Sequence, residues 1–120
     1  MKLNLEIKKI RIKRSQIEVN WENDKAMTLK VACEASIAEP KDRNDKSALV
    51  VMTLFVNDDN SNFNAEMEAE IIFGFVETPE EYGKEVMNEC VPQAAKALLL
   101  KLDDMLIHMD EKQLGLAELI

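Results

Sequence analysis

The chain has 120 residues, 47% of them apolar and 32% charged, with a formal net charge of −8. That length supports one domain, residues 1–120, built on a single core, and the acidic balance argues against nucleic-acid binding. The longest apolar run, residues 48–56, contains Thr53 and is far too short to span a membrane, and the first residues show no apolar signal region before charges resume, so a cytoplasmic protein without membrane insertion is expected.

The first strand is expected over residues 3–21. Its apolar phase changes twice: Leu3, Leu5 and Ile7 are odd, Ile10 and Ile12 even, Ile17, Val19 and Trp21 odd again. Side chains on a strand alternate between faces, so each slip implies a bulge. Residues 1–14 carry six basic side chains against one acid, leaving nine basic against 22 acidic in the rest of the chain. Lys8, Lys9, Arg11, Lys13 and Arg14 have no aromatics interleaved, which fits the solvent face and edge of a strand better than a phosphate-binding patch.

The second strand, residues 27–37, alternates as Met27, Leu29, Val31, Cys33, Ala35 and Ile37 against Thr28, Lys30, Glu34 and Ser36, with turn residues on both sides. The third, residues 47–56, is apolar on both faces and is expected to be a central strand buried on two sides. After a polar turn, the fourth runs over residues 63–76. There Phe63, Ala65, Met67, Ala69, Ile71, Phe73 and Phe75 alternate with Asn64, Glu66, Glu68 and Glu70.

Thr78, Pro79, Glu80 and Glu81 read as a helix start, with a side-chain cap, proline at the first position and acids in the first turn. The helix is expected to reach about Asp110 with a core stripe of Tyr82, Val86, Cys90, Ala94, Leu98, Leu102, Met105, Leu106 and Met109, and Pro92 should kink it. On its back, Leu100 and Ile107 stand seven residues apart among Lys96, Asp103 and Asp104, as in a helix that a second helix covers, and mark an oligomer interface. The chain ends in an apolar tail, residues 113–120, whose Leu114, Leu116, Leu119 and Ile120 must dock on something. The elements in order predict an α+β fold, a four-stranded antiparallel sheet of β-β-β-β-α order with one long kinked helix on one face.

Catalytic chemistry is hard to find. His108 has no metal-ligand constellation around it, and no glycine-rich phosphate loop or nucleophile elbow is present, so no cofactor and no enzyme are expected. Cys33 and Cys90, both in core phase, read as small buried thiols in the reduced state. Glu66, Glu68 and Glu70 are either the wet face of their strand or an acidic face on which a partner docks.

Several local stretches, in the same order along the chain, resemble the SecB family of export chaperones. Residues 5–12 with Ile17, Glu18 and Val19 are similar to that family's bulged first strand, residues 66–75 ending Phe73-Gly74-Phe75 to its fourth, Cys90-Val91-Pro92 to its helix proline region, and Gln113-Leu114-Gly115-Leu116 to its C-terminal segment. The resemblance implies an ATP-independent holdase that binds unfolded polypeptides, including preproteins for export, along apolar grooves as a dimer or dimer of dimers. The tail, with Leu114, Leu116, Leu119 and Ile120, would form one groove wall. Three departures stand out. Lys96-Ala97-Leu98-Leu99-Leu100 replaces the family's aromatic–proline–tyrosine–x–arginine run, Glu118-Leu119-Ile120 replaces the proline and asparagine expected near the C-terminus, and the first-strand acids that dock its translocation motor fall on Gln16 and Asn20, although Glu66 keeps its acid. Motor docking is therefore doubtful for this chain. The competing class is an interaction protein dedicated to one partner, such as an adaptor or antitoxin-associated module. The methionines Met27, Met52, Met67, Met87, Met105 and Met109 fit adaptable binding or simple core filling.

Overall fold

The computed structural model describes residues 4–20, 28–42, 45–59, 62–77, 82–109 and 115–116. Within them the chain forms β1 (Leu5–Val19), β2 (Leu29–Ala38), β3 (Ser47–Asp58), β4 (Phe63–Phe75) and α1 (Lys84–His108). The four strands make one antiparallel sheet in the order β1-β4-β3-β2, and α1 lies across one face.

The long first strand does slip twice. Its register against β4 shifts by one between Ile7 and Lys9 and again between Ile12 and Arg14, leaving Lys8 and Lys13 as the extra residues. These shifts return Ile10, Ile12, Ile17 and Val19 to the helix side opposite Ile71, Ala69, Ala65 and Phe63. Lysines at the bulges of an edge strand also discourage unwanted pairing.

The core is a slab between the sheet and α1. It takes Ala48, Val50, Met52, Leu54 and Val56 from β3, the odd residues of β4, and Val86, Cys90, Ala94, Leu98, Leu99, Leu102 and Leu106 from α1. Met52 and Met67 are fully buried and fill this core. Only one face of β3 is buried, contrary to expectation. Leu49, Val51, Thr53 and Phe55 are half-exposed on the open side, because no element of the described chain covers it. As expected, β3 is a central strand, with β4 beside it.

The helix differs from the reading of its sequence at both ends. It starts at Lys84 with Gly83 as N-cap, so Tyr82 precedes it and packs edge-on against Phe75 with ring centroids 6.2 Å apart. The capping signal at Thr78, Pro79, Glu80 and Glu81 lies outside the described residues, as do Leu3, Trp21, Met27 and Asp110. Met109 is the C-cap and is exposed, not part of the stripe. Pro92 sits inside α1, which continues on both sides. Pro92 and Asn88 are both exposed, and the proline nitrogen cannot donate to the carbonyl of Asn88.

Two further residues are placed otherwise than expected. Cys33 is exposed although it is on the helix side opposite buried Leu54: the phase is right, but the helix does not reach over β2 there. Asp103, on the charged back of α1, is buried.

Candidate functional site

The helix covers the middle of the sheet and leaves its margins half-bare. On one side of α1 stand Leu5, Ile7, Ile10, Ile12, Ile17 and Val19 of β1, and on the other Leu29, Val31, Ala35 and Ile37 of β2, all partly exposed and all packed on the core. Exposed Cys33 lies within the second strip. Both strips end at a sheet edge.

The edge at β2 has a definite chemistry. Thr28 accepts a hydrogen bond from the Asp59 N–H at 3.2 Å, which makes this a hydrogen-bonded pair of the antiparallel ladder. Alternation then points the N–H and C=O groups of the even residues of β2 toward β3, and those of Leu29, Val31, Cys33, Ala35 and Ile37 outward. Among the described residues, none of these outward groups has a backbone partner. The outward hydrogen-bonding groups and the half-exposed apolar side chains thus belong to the same residues. Buried Asp58 anchors the start of this strand: its Oδ1 accepts the Thr28 N–H at 2.8 Å and its Oδ2 the Asn62 N–H at 3.0 Å.

The open face of the sheet is different. Glu66, Glu68 and Glu70 lie side by side on β4, each in an ion pair with β1: Arg14 to Glu66 at 3.2 Å, Lys13 to Glu70 at 3.4 Å, and Glu68 between them at 3.9 and 4.0 Å. The acids are therefore largely neutralised from within. Next to them run half-exposed Leu49, Val51 and Phe55 with Ile72. A cleft of about 560 Å³ at the sheet end has a mixed lining, with Glu18, Asn20, Asn57 and Asn64 beside Val19 and Phe63. Among the described residues no group of three or more His, Cys, Asp or Glu side chains is placed to hold a metal ion.

Leu100 and Ile107 are 52% and 49% exposed on the outer side of α1, as their spacing predicts for a single subunit. Leu116 is fully buried, its N–H donating to Asp103 Oδ2 at 2.8 Å. As placed, its side chain belongs to the core and presents no apolar wall to a ligand; Leu114, Leu119 and Ile120 lie outside the described residues. Burial also pushes the Cys90 thiol up to about 11, with a smaller push from Glu89. Sequence reasoning missed the outward groups of β2. The signal available was the clean alternation of residues 29–37, which marks a strand with one wet face, but strand order decides which strand is an edge.

No protein-family model matches the sequence, and no curated protein matches it. Among solved structures the fold is similar to that of the SecB-like chaperone Rv1957 of Mycobacterium tuberculosis, determined in complex with a ChAD peptide from the HigA1 antitoxin. The TM-score is 0.67 over 94% of this chain and 88% of that one, at 14% sequence identity. At that identity the likeness is one of fold, a four-stranded antiparallel sheet with one long helix.

Proposed function

We propose that this chain is a SecB-like, ATP-independent holdase that binds unfolded or partly folded polypeptides, preproteins among them, as a cytoplasmic homo-oligomer, a dimer or dimer of dimers. The observation that carries this reading is the edge of β2, where unpaired backbone groups and half-exposed apolar side chains share Leu29, Val31, Cys33, Ala35 and Ile37. An extended chain that adds a strand there gains main-chain hydrogen bonds that do not depend on its sequence, and apolar contact beside α1. Such binding is tolerant of client sequence and needs no nucleotide. That the fold's SecB-like counterpart is solved with a bound peptide supports polypeptide binding by this architecture.

Assembly is supported by shape and by surface. The radius of gyration is 16.0 Å, against about 14 Å for a compact domain of this length. The accessible surface is 7590 Å², against about 6600 Å² for a monomer of this mass. A thin subunit with apolar strips on both sides of its helix is better suited to an assembly than to isolation.

The deciding experiment uses Ala35→Pro. Proline there removes an outward N–H and leaves the β2–β3 ladder intact, whereas Ser36→Pro breaks the ladder. The wild type should suppress aggregation of several unrelated unfolded proteins, and Ala35→Pro should weaken capture about tenfold or more with unchanged circular dichroism. Unaltered capture by this variant sinks the edge reading. The second reading, a dedicated single-partner module, is favoured by the antitoxin origin of the counterpart's peptide. It predicts capture of one client and indifference to the rest.

A further inference from the structure

Asp103 lies five residues before the end of α1, where the helix carbonyls make the local potential negative, and it is only 5% exposed. A buried carboxylate in that place is unfavourable unless donors serve it. One donor is the backbone N–H of Leu116, at 2.8 Å from Oδ2. Gly115 delivers it: its φ of 68° is in the left-handed region, which side chains with a Cβ rarely adopt. The Leu116 side chain is fully buried in the same cluster as Leu99 and Leu106, which lie four residues before and three after Asp103 on one strip of the helix. On the other flank, three before and four after, stand exposed Leu100 and Ile107.

This constellation recognises two features of Leu116, an aliphatic side chain and the N–H of the same residue. Neither is peculiar to this segment. We propose that Asp103, with the apolar strip beside it, is a polypeptide-binding subsite that Leu116 occupies in cis and that an aliphatic residue of a captured chain takes in exchange. The inference rests on the reading of this protein as a polypeptide binder. Exchange preserves the hydrogen bond to Asp103 and the buried leucine-sized contact. A tethered occupant competes at high effective concentration, so weakening it reads out as tighter client binding.

The test uses the full chain, a carboxymethylated and permanently unfolded client, and a synthetic peptide copying residues 113–120. Leu116→Ala should bind the client at least about fivefold more tightly than the wild type. Adding Asp103→Ala should return the affinity to the wild-type level or below, a reversal that general loosening of the core does not produce. The peptide should compete with the client, and the same peptide with N-methyl-leucine at the position of Leu116, which lacks the donor, should compete about tenfold less well. Should Leu116→Ala fail to fold by circular dichroism, the two peptides are compared on the wild type. Unchanged affinity in a folded Leu116→Ala, a gain that survives Asp103→Ala, or equal competition by both peptides overturns the subsite and leaves polypeptide binding standing. Absence of client capture by every variant overturns both.

Discussion

The Asp58 carboxylate and the Thr28 N–H, 2.8 Å apart, join the end of β3 to the start of β2, and the second oxygen of the same carboxylate holds the Asn62 N–H at 3.0 Å. One buried acid thus fixes the entrance to the edge strand and the turn into β4. Asp58→Ala leaves two backbone donors without this acceptor and should cost about 2–4 kcal/mol. Asp58→Asn, which keeps one acceptor oxygen, should cost less. Urea midpoints measure both, and faster amide exchange at Thr28 and Asn62 in the alanine variant would localise the effect.

Cys90 predicts a pH dependence. Its thiol is fully buried and is pushed from 9.0 to about 11, chiefly by burial. The folded state therefore holds a proton that the unfolded state releases from pH 9 upward, so stability falls between pH 9 and 11, by at most about 2–3 kcal/mol. Cys90→Ala removes that contribution. The difference between wild type and variant in thermal midpoint should shift in the variant's favour as pH rises from 8 to 10.5, and a constant difference would refute the assignment.

The sheet was legible because alternation is a local property. The two phase slips of the first strand fall where Ile7 gives way to Lys9 and Ile12 to Arg14, and the stripe from Val86 to Leu106 is the buried face of α1. What sequence patterns miss is what covers a face. Cys33 is in core phase yet exposed, because the helix does not reach over β2 at that point, and Leu49, Val51 and Phe55 are apolar yet half-exposed, because nothing in the described chain covers the open face. Asp103 is the converse case. A helical wheel places it among charges, yet it is buried and accepts the N–H of Leu116, where the chain returns to the helix. The candidate site was harder still to read, since the strand order β1-β4-β3-β2 makes β2 an edge and periodicity carries no information about strand order.

Leu100 and Ile107 should act in assembly. Both are about half exposed and lie on one strip of α1. Charge at two exposed helix positions costs a monomer little, about 0.5 kcal/mol or less at each. Leu100→Asp with Ile107→Asp should therefore lower the sedimentation coefficient without altering the thermal unfolding of the subunit fold. A wild type that sediments as a monomer at high micromolar concentration would remove the ground for this interface.

The acidic ladder on the open face should matter little for stability. Glu66, Glu68 and Glu70 pair with Lys13 and Arg14 on a surface where such pairs contribute about 0–1 kcal/mol each. Because Lys13 and Arg14 already stand against the three acids, a basic partner gains less from docking there than from a bare acidic row. Replacing all three by Gln should leave client capture within about twofold of the wild type. A large loss would reassign this face to partner docking.

Cys33 offers a direct footprint of the edge. It is exposed, it lies in the middle of β2, and its backbone groups point outward from the sheet, whereas Cys90 is fully buried. In the native protein a maleimide should therefore label Cys33 and spare Cys90 until the chain unfolds. A client strand added to β2 would place its own backbone against residues 31–35 and its side chains over the thiol, excluding the reagent. Saturating amounts of an unfolded client should slow labelling at Cys33 about tenfold or more, and a folded control protein should not. Prior alkylation with a bulky maleimide should in turn reduce capture, because the adduct occupies the strip beside α1. Client binding with no change in the labelling rate would locate the client elsewhere, with the apolar strip of β1 as the next surface to probe.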